Sequence, residues 1–308
     1  MTVVRTGRGW ALAWASVLFM ALASSAWAQV TVTVDRDTAI AEISLTDSGG
    51  TTYDAEVTII FDTPQNLSPQ SLNLTAELID PSDGTIGGRL PSGTSISPEF
   101  PMMITVEPPD VAWLFASGFD GGGTEGILEF LNNYQIEVHT HRLEYTSDST
   151  YRLMKAPVGG AFDDITSELA AGSMRARGRG PAFSQFVIAD DQRVECLVAL
   201  GKILSLDTKI LSAILSDALR LDLLRLLGKV QALIFIDVGA ALAALDDFID
   251  EVNANAGTEI ANVWTARRDV VNDAGEMVSE AETLRFTMQR LPPILPLVCL
   301  QNNPRPSN

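Results

Sequence analysis

Cysteine and histidine are scarce in this 308-residue chain, which contains two residues of each type. No H-E-x-x-H, G-x-S-x-G or EF-hand sequence is present, so the zinc-peptidase, nucleophile-elbow and calcium-loop motifs are excluded. A catalytic triad built from distant residues stays open, because its members need not be adjacent in the chain. The sequence therefore does not decide whether the protein is an enzyme.

A glycine-rich segment at residues 121–126 satisfies the pattern G-x-G-x-x-G. This pattern binds a dinucleotide only where it joins a strand to a helix in a βαβ unit. The surrounding sequence is strand-rich and indicates a hairpin loop instead. We expect no cofactor.

Basic residues are few, with 21 Lys and Arg against 39 Asp and Glu, and the net charge is −18. Without Arg5 and Arg8, which precede the expected cleavage site, the balance is 19 minus 39, or −20. Such an acidic surface repels nucleic-acid phosphates and anionic lipid headgroups. The expected partner is therefore a protein or a glycan, and not a nucleic acid.

Residues 1–28 predict a secretory signal peptide. Arg5 and Arg8 give a basic start, residues 10–23 are uncharged and apolar, and Ala26 and Ala28 occupy the −3 and −1 positions of a cleavage site. A membrane anchor is the alternative, but it would need about 20 apolar residues and this run is shorter. We expect a secreted or periplasmic protein that begins at Gln29 and has no later transmembrane segment.

Residues 29–192 alternate between apolar and polar side chains, the period of a half-buried strand. Val30, Val32 and Val34, for example, share one face. Nine segments with this pattern predict strands at 30–34, 39–45, 53–61, 72–79, 102–106, 134–145, 151–155, 173–177 and 184–189. Together they favour an antiparallel β-sandwich. Pro108 marks a possible sub-boundary, so one sandwich or two small ones remain open.

Residues 193–300 change to the period of a helix. Two short helices are predicted at 194–206 and 208–215, a third begins after Ser216, a fourth after Asp237, and a long one runs from Thr258 to about residue 291. Short connections favour an antiparallel bundle of three or four helices. The fold class expected is α+β and multidomain: a β-sandwich at 29–192, a helical bundle at 193–300 and a tail at 301–308. Assembly through the leucine-rich helix around 219–227 is a further expectation.

The two cysteines, Cys196 and Cys299, lie at opposite ends of the helical pattern. In an exported protein two such thiols usually pair. We therefore predict a Cys196–Cys299 disulfide that closes a loop around the helical region.

Two segments carry a resemblance to known proteins. The sequence at 151–162, YRLMKAPVGGAF, with 175–180, RARGRG, and 183–186, FSQF, resembles exported bacterial proteins of unassigned function. The sequence at 240–252, AALAALDDFIDEV, is similar to FIMAH-type helical appendages of secreted bacterial enzymes. The resemblance implies an exported protein with a non-catalytic helical appendage and supplies no catalytic residue.

Two polar groups are candidate sites. His139 and His141 would share one face of a strand and reach one metal ion, although half-exposed sheet residues have the same pattern. Arg175, Arg177 and Arg179 would also share a face and contact an anionic ligand, or be neutralised by neighbouring acids.

These observations favour a non-enzymatic exported protein with a binding or structural role. An exported hydrolase acting on glycan or peptide, with carboxylates in loops of the β region, is the alternative. Acidic side chains that converge in a cleft would favour the enzyme, and a flat apolar patch would favour binding.

Overall fold

A computed structural model describes residues 28–110, 126–146, 149–170, 172–292 and 299. The predicted signal segment up to residue 27, the tail at 301–308 and all but the last residue of the glycine-rich segment lie outside the described residues.

Within the described residues, thirteen strands form two antiparallel sheets. In chain order they are β1 (Ala28–Asp35), β2 (Thr38–Thr46), β3 (Thr52–Gln65), β4 (Leu74–Leu78), β5 (Thr94–Ile96), β6 (Met102–Val106), β7 (Glu129–Tyr145), β8 (Tyr151–Ala156), β9 (Asp163–Asp164), β10 (Thr166–Ala170), β11 (Gly172–Gly180), β12 (Gln185–Asp191) and β13 (Val263–Thr265). The larger sheet has the order β1-β2-β3-β7-β11-β10, with β13 also paired to β7. The smaller sheet has the order β4-β6-β12-β8-β9, with β5 also paired to β12. Each sheet contains strands that precede residue 108 in the chain and strands that follow it.

Two short helices, α1 (Pro69–Leu72) and α2 (Gly84–Gly87), lie between strands. Four long helices follow the sheets, namely α3 (Glu195–Ser212), α4 (Asp217–Leu233), α5 (Val238–Asn255) and α6 (Asp273–Gln289). Each long helix contacts the next, and α6 contacts α3. The α+β class is confirmed.

The alternation of apolar and polar residues correctly predicts which face of a strand is buried. In β2 the apolar residues Ala39, Ala41, Ile43 and Leu45 are buried, while their neighbours are partly or fully exposed. All nine predicted strands are present. Buried residues of both sheets belong to one hydrophobic cluster, and the long helices form a second cluster.

The predicted helix from Thr258 to residue 291 is wrong in its first half. Residues 263–265 form β13, and the helix begins only after Asn272, whose side chain accepts a hydrogen bond from the Gly275 amide. Trp264 explains the difference: it is buried and stacks on Phe130, with ring centroids 5.0 Å apart. Burying this ring in the β core outweighs the local helical preference. Likewise, the two short helices predicted over 194–215 are one continuous helix, α3.

Helix α6 is buried on several sides because it contacts the other helices and the larger sheet. Its first turn lies against the backbone of β7. A Cβ atom added to Gly275 would lie 1.9 Å from the Asn132 carbonyl oxygen. Only glycine permits this approach, so Gly275 fixes the distance between α6 and the sheet.

Gly275→Ala is therefore expected to destabilise the protein by about 1–3 kcal/mol or more, because the sheet or the helix must shift. Gly228→Ala is the matched control, because Gly228 is an exposed helical glycine with nothing within 4 Å of the added Cβ. Alanine there should stabilise by about 0.5–1 kcal/mol through helix propensity. Urea unfolding of both variants measures the difference. Equal effects of the two substitutions would contradict the close packing.

Buried ionic contacts join the helices to the β region. Lys202 of α3 and Asp164 of β9 form an ion pair of 2.7 Å, and both side chains are buried. The Lys202 ammonium also donates to the Thr283 carbonyl oxygen at 3.1 Å and to the Thr287 hydroxyl at 3.0 Å. Burial alone would raise the pKa of Asp164, but the Lys202 charge and hydrogen bonds from Lys202 and Thr166 hold it below its ordinary value of 3.8.

The predicted disulfide is confirmed. Cys196 in the first turn of α3 is bonded to Cys299, and their Cα atoms are 6.1 Å apart. Cys196 is buried, so the bond lies at the edge of the helical core. It holds residue 299 beside the junction between sheets and helices. None of the helices in the described ranges has the length and apolar character needed to cross a bilayer.

Candidate functional site

A cleft of about 480 Å³ lies where the two sheets meet the helices. We call it the junction cleft. Strand β8, the start of β9, the end of β11, helices α3 and α6 and the segment at 264–272 all contribute to its walls. Its polar lining includes Lys155, Asp163, Arg179, Ser184, Lys209, Arg268, Asn272, Glu276, Ser279, Glu280 and Thr283.

The local charge of the cleft differs from that of the whole chain. Four basic side chains (Lys155, Arg179, Lys209 and Arg268) line it against three acidic ones, Asp163, Glu276 and Glu280. The chain as a whole has a net charge of −18. The cleft is therefore locally basic on an acidic protein, which favours an anionic ligand at this position.

Lys155 lies opposite Asp163 in the register of β8 and β9. Burial lowers the pKa of Lys155 to about 8, and the nearby Lys209 charge acts in the same direction, while Glu276 and Asp163 oppose the shift. Among the described residues, Lys155 has no ion-pair or hydrogen-bond partner for its ammonium. Lys155 thus holds its proton less firmly than an exposed lysine, and it lines an open cleft.

The carboxylates of the cleft are in different environments. Glu276 is paired with Lys209, with 3.0 Å between Oε2 and Nζ. Burial raises the pKa of Glu280, and Asp163 adds to this shift, while Lys202, Lys209 and a hydrogen bond with Ser205 oppose it. Glu280 therefore retains a proton to higher pH than an exposed glutamate does.

Ser279 lies between these two glutamates in the sequence and is 5% exposed. Its hydroxyl has no hydrogen-bond partner within the described part of the chain. Buried polar atoms are nearly always paired, and an unpaired one costs about 1–3 kcal/mol. Ser279 is one of the residues that line the junction cleft.

A second cavity of about 550 Å³ shares Asp163 and Glu280 with the junction cleft. It also contacts the buried Lys202–Asp164 pair and the start of α3. The two carboxyl side chains thus lie between two solvent-accessible spaces.

The arginine side chains predicted to share a face do so, but they serve different contacts. Arg177 pairs with Glu137 at 2.5 Å and with Glu168 at 2.8 Å, and Arg175 lies 3.8 Å from Glu137. Arg179 forms no ion pair among the described residues; it donates to the Asn133 side chain at 3.4 Å and lines the junction cleft. Arg179 alone is thus available to an anion.

His139 and His141 lie on β7, and neither of them lines the junction cleft. Their ring centroids are 4.8 Å apart, and His139 Nε2 lies 2.8 Å from the Ser173 hydroxyl. Burial, Arg175 and His141 lower the pKa of His139. In the described ranges, no three His, Cys, Asp or Glu side chains are grouped so that they could hold a metal ion. Metal binding by the pair remains a prediction.

The sequence does not single out Lys155, Ser279 or Glu280. Lys155 is one of only four lysines in the chain and lies in a predicted strand. That rarity is the one signal available for it. Ser279 and Glu280 lie on a helix without a clear apolar stripe, which is typical of a helix buried on several sides.

The fold and the cleft define an α+β protein with two antiparallel sheets followed by helices and a mixed-charge cavity at their junction. Residues 15–292 match the family of unknown function DUF6689, and the chain belongs to this family. No curated protein matches the chain.

Proposed function

We propose that the protein is an exported, non-enzymatic binding protein whose junction cleft holds a small anionic ligand. The observation that carries the proposal is the charge of the junction cleft, where basic side chains outnumber acidic ones although the chain as a whole is strongly acidic. Ser279, in the lining, also has a buried hydroxyl without a hydrogen-bond partner among the described residues. A volume of about 480 Å³ lies within the range of small-molecule sites.

The architecture supports this role. In the proposed arrangement the two sheets pack as a β-sandwich and the four long helices as an antiparallel bundle, with α6 held against both. Most walls of the cleft then belong to helices and strands, and the irregular segment at 266–272 forms the remainder. Ligand groups on such walls need little reordering on binding. Export, and the similarity of the helices to FIMAH-type appendages, are part of the same proposal.

Ser279→Ala tests the proposal, because the substitution removes a hydroxyl that has no hydrogen-bond partner within the described residues. Stability should be unchanged or slightly higher, whereas ligand affinity should fall about tenfold, the effect of one lost hydrogen bond of about 1.4 kcal/mol. The probe is a panel of small organic acids, amino acids and sugars. Thermal shift identifies a binder, and calorimetry measures its affinity.

Ser71→Ala is the matched control. Ser71 is also buried, but its hydroxyl accepts from the Ser68 amide and donates to the Asn66 carbonyl oxygen at 2.7 Å, and Ser71 does not line the cleft. This variant should lose stability and keep full affinity. If no member of the panel binds, or if both variants bind equally well, the proposed site is wrong.

A hydrolase is the second candidate, favoured by one observation. Asp163 and Glu280 converge in the cleft from a strand and a helix, and the raised pKa of Glu280 suits a general acid. The same panel, extended to glycosides and peptides, is analysed for products by mass spectrometry. Turnover that disappears in Glu280→Gln would establish the hydrolase in place of the binding protein.

A further inference from the structure

We propose that Lys155 binds a small 2-oxo acid covalently and reversibly, as an imine, with the ligand carboxylate held by Arg179. This inference rests on the proposed function, since it names the ligand class of the same cleft. The cleft would then bind carbonyl compounds covalently.

The position of Lys155 suits an attacking amine. It extends from β8 into the cleft, opposite Asp163, and has no ion-pair partner in the described structure. The other three lysines differ. Lys202 is buried in its ion pair, Lys209 is bound to Glu276 at 3.0 Å, and Lys229 is exposed near Asp247 at 3.5 Å.

Several charged groups act on the amine from the surrounding elements. Lys209 of α3 disfavours its protonated form, whereas Glu276 of α6 and Asp163 of β9 favour that form. Burial adds to the effect of Lys209, so neutral amine is present near pH 8. Desolvation and a nearby cation are the conditions under which lysine acts as a nucleophile towards carbonyl carbon.

The chemistry is a condensation that needs no oxidant or reductant. The neutral amine of Lys155 attacks the carbonyl carbon, a C–N bond forms and the carbonyl oxygen becomes a hydroxyl. The C–O bond then breaks, and the oxygen leaves as water with the two protons of the amine. Solvent water can carry a proton from the nitrogen to the departing hydroxyl. Water reverses the reaction and frees the ligand.

A 2-oxo acid uses one feature of the cleft that a simple aldehyde would not. Its carboxylate suits Arg179, which forms no ion pair among the described residues. An unbranched 2-oxo acid is small enough for the cavity.

Reductive trapping on the intact protein tests the inference. The folded protein is incubated with pyruvate or glyoxylate and cyanoborohydride, which reduces imines, and the modified lysine is located by peptide mass spectrometry. Lys155 should be modified about tenfold faster than Lys229, and the difference should vanish in urea. Lys155→Arg should abolish the main adduct, and Lys229→Arg should leave it unchanged. Arg179→Ala should slow trapping by pyruvate but not by a small neutral aldehyde.

The possible results separate the inference from the proposed function. An adduct at Lys155 supports both. Binding of the oxo acid by calorimetry without an adduct leaves the proposed function standing and overturns the imine. Equal modification of Lys155 and Lys229 in the folded protein also overturns it. The comparison of lysines within the wild-type protein does not depend on whether a variant folds.

Discussion

Asp164→Asn is expected to lower the free energy of unfolding by about 3–5 kcal/mol, because it leaves the buried Lys202 ammonium without its counter-ion. The two side chains are 7% and 2% exposed, so water cannot replace the lost partner. Chemical unfolding at neutral pH measures the loss. The double variant Asp164→Leu/Lys202→Met should recover most of it, since a buried pair is often replaced by apolar residues at little cost.

The effect should depend on pH with a definite sign. The folded-state pKa of Asp164 lies below its ordinary value of 3.8, so its stabilisation is complete above the unfolded pKa and is lost as pH falls through the folded pKa. The difference in the free energy of unfolding between wild type and Asp164→Asn should therefore become smaller at acid pH. Lys229→Ala, at an exposed pair, should cost less than about 1 kcal/mol. An equal cost for both variants would show that the Lys202–Asp164 contact does not hold the junction.

Removing the Cys196–Cys299 disulfide by Cys→Ala at both positions should destabilise by about 4–5 kcal/mol, the loop-entropy value for a closure of this size. The two cysteines are 103 positions apart, so the bond restricts much of the unfolded helical region. Unfolding of wild type with and without dithiothreitol measures the same quantity independently. Cys196 is buried, so alanine also removes some packing. The reduced wild-type protein should therefore be slightly more stable than the double variant.

Dithiothreitol should leave the Cys196→Ala/Cys299→Ala variant unchanged. A wild-type protein whose unfolding midpoint is insensitive to reductant would exclude a stabilising disulfide.

Local sequence pattern predicts those strands and helices that have one buried face. The seam of α4 is an example: Leu219, Leu223, Leu226 and Leu227 have helical spacing and are buried within the chain. Leu221, by contrast, is 66% exposed, so the buried face is narrower than the run of leucines. Spacing predicts a buried face but not how wide that face is. Assembly through this helix stays a prediction.

The junction could not be predicted because it depends on contacts between distant residues. Trp264 stacks on Phe130, which lies more than a hundred positions earlier in the chain. Gly275 packs directly against the backbone carbonyl of Asn132. The junction cleft has the same origin. Lys155, Arg179 and Glu280 have no shared local pattern, and only the docking of helices on sheets brings them to one space.

The pairing of β13 with β7 also constrains the order in which the chain can fold. The segment Val263–Thr265 comes after three of the long helices, yet it pairs with Glu129–Leu131. During synthesis the larger sheet therefore lacks β13 until residue 265 has left the ribosome. Proteins made from the amino end usually finish one domain before the next begins. In this protein the β region is finished by a late segment of the helical region, so a fragment ending at residue 192 would lack a strand of its own sheet.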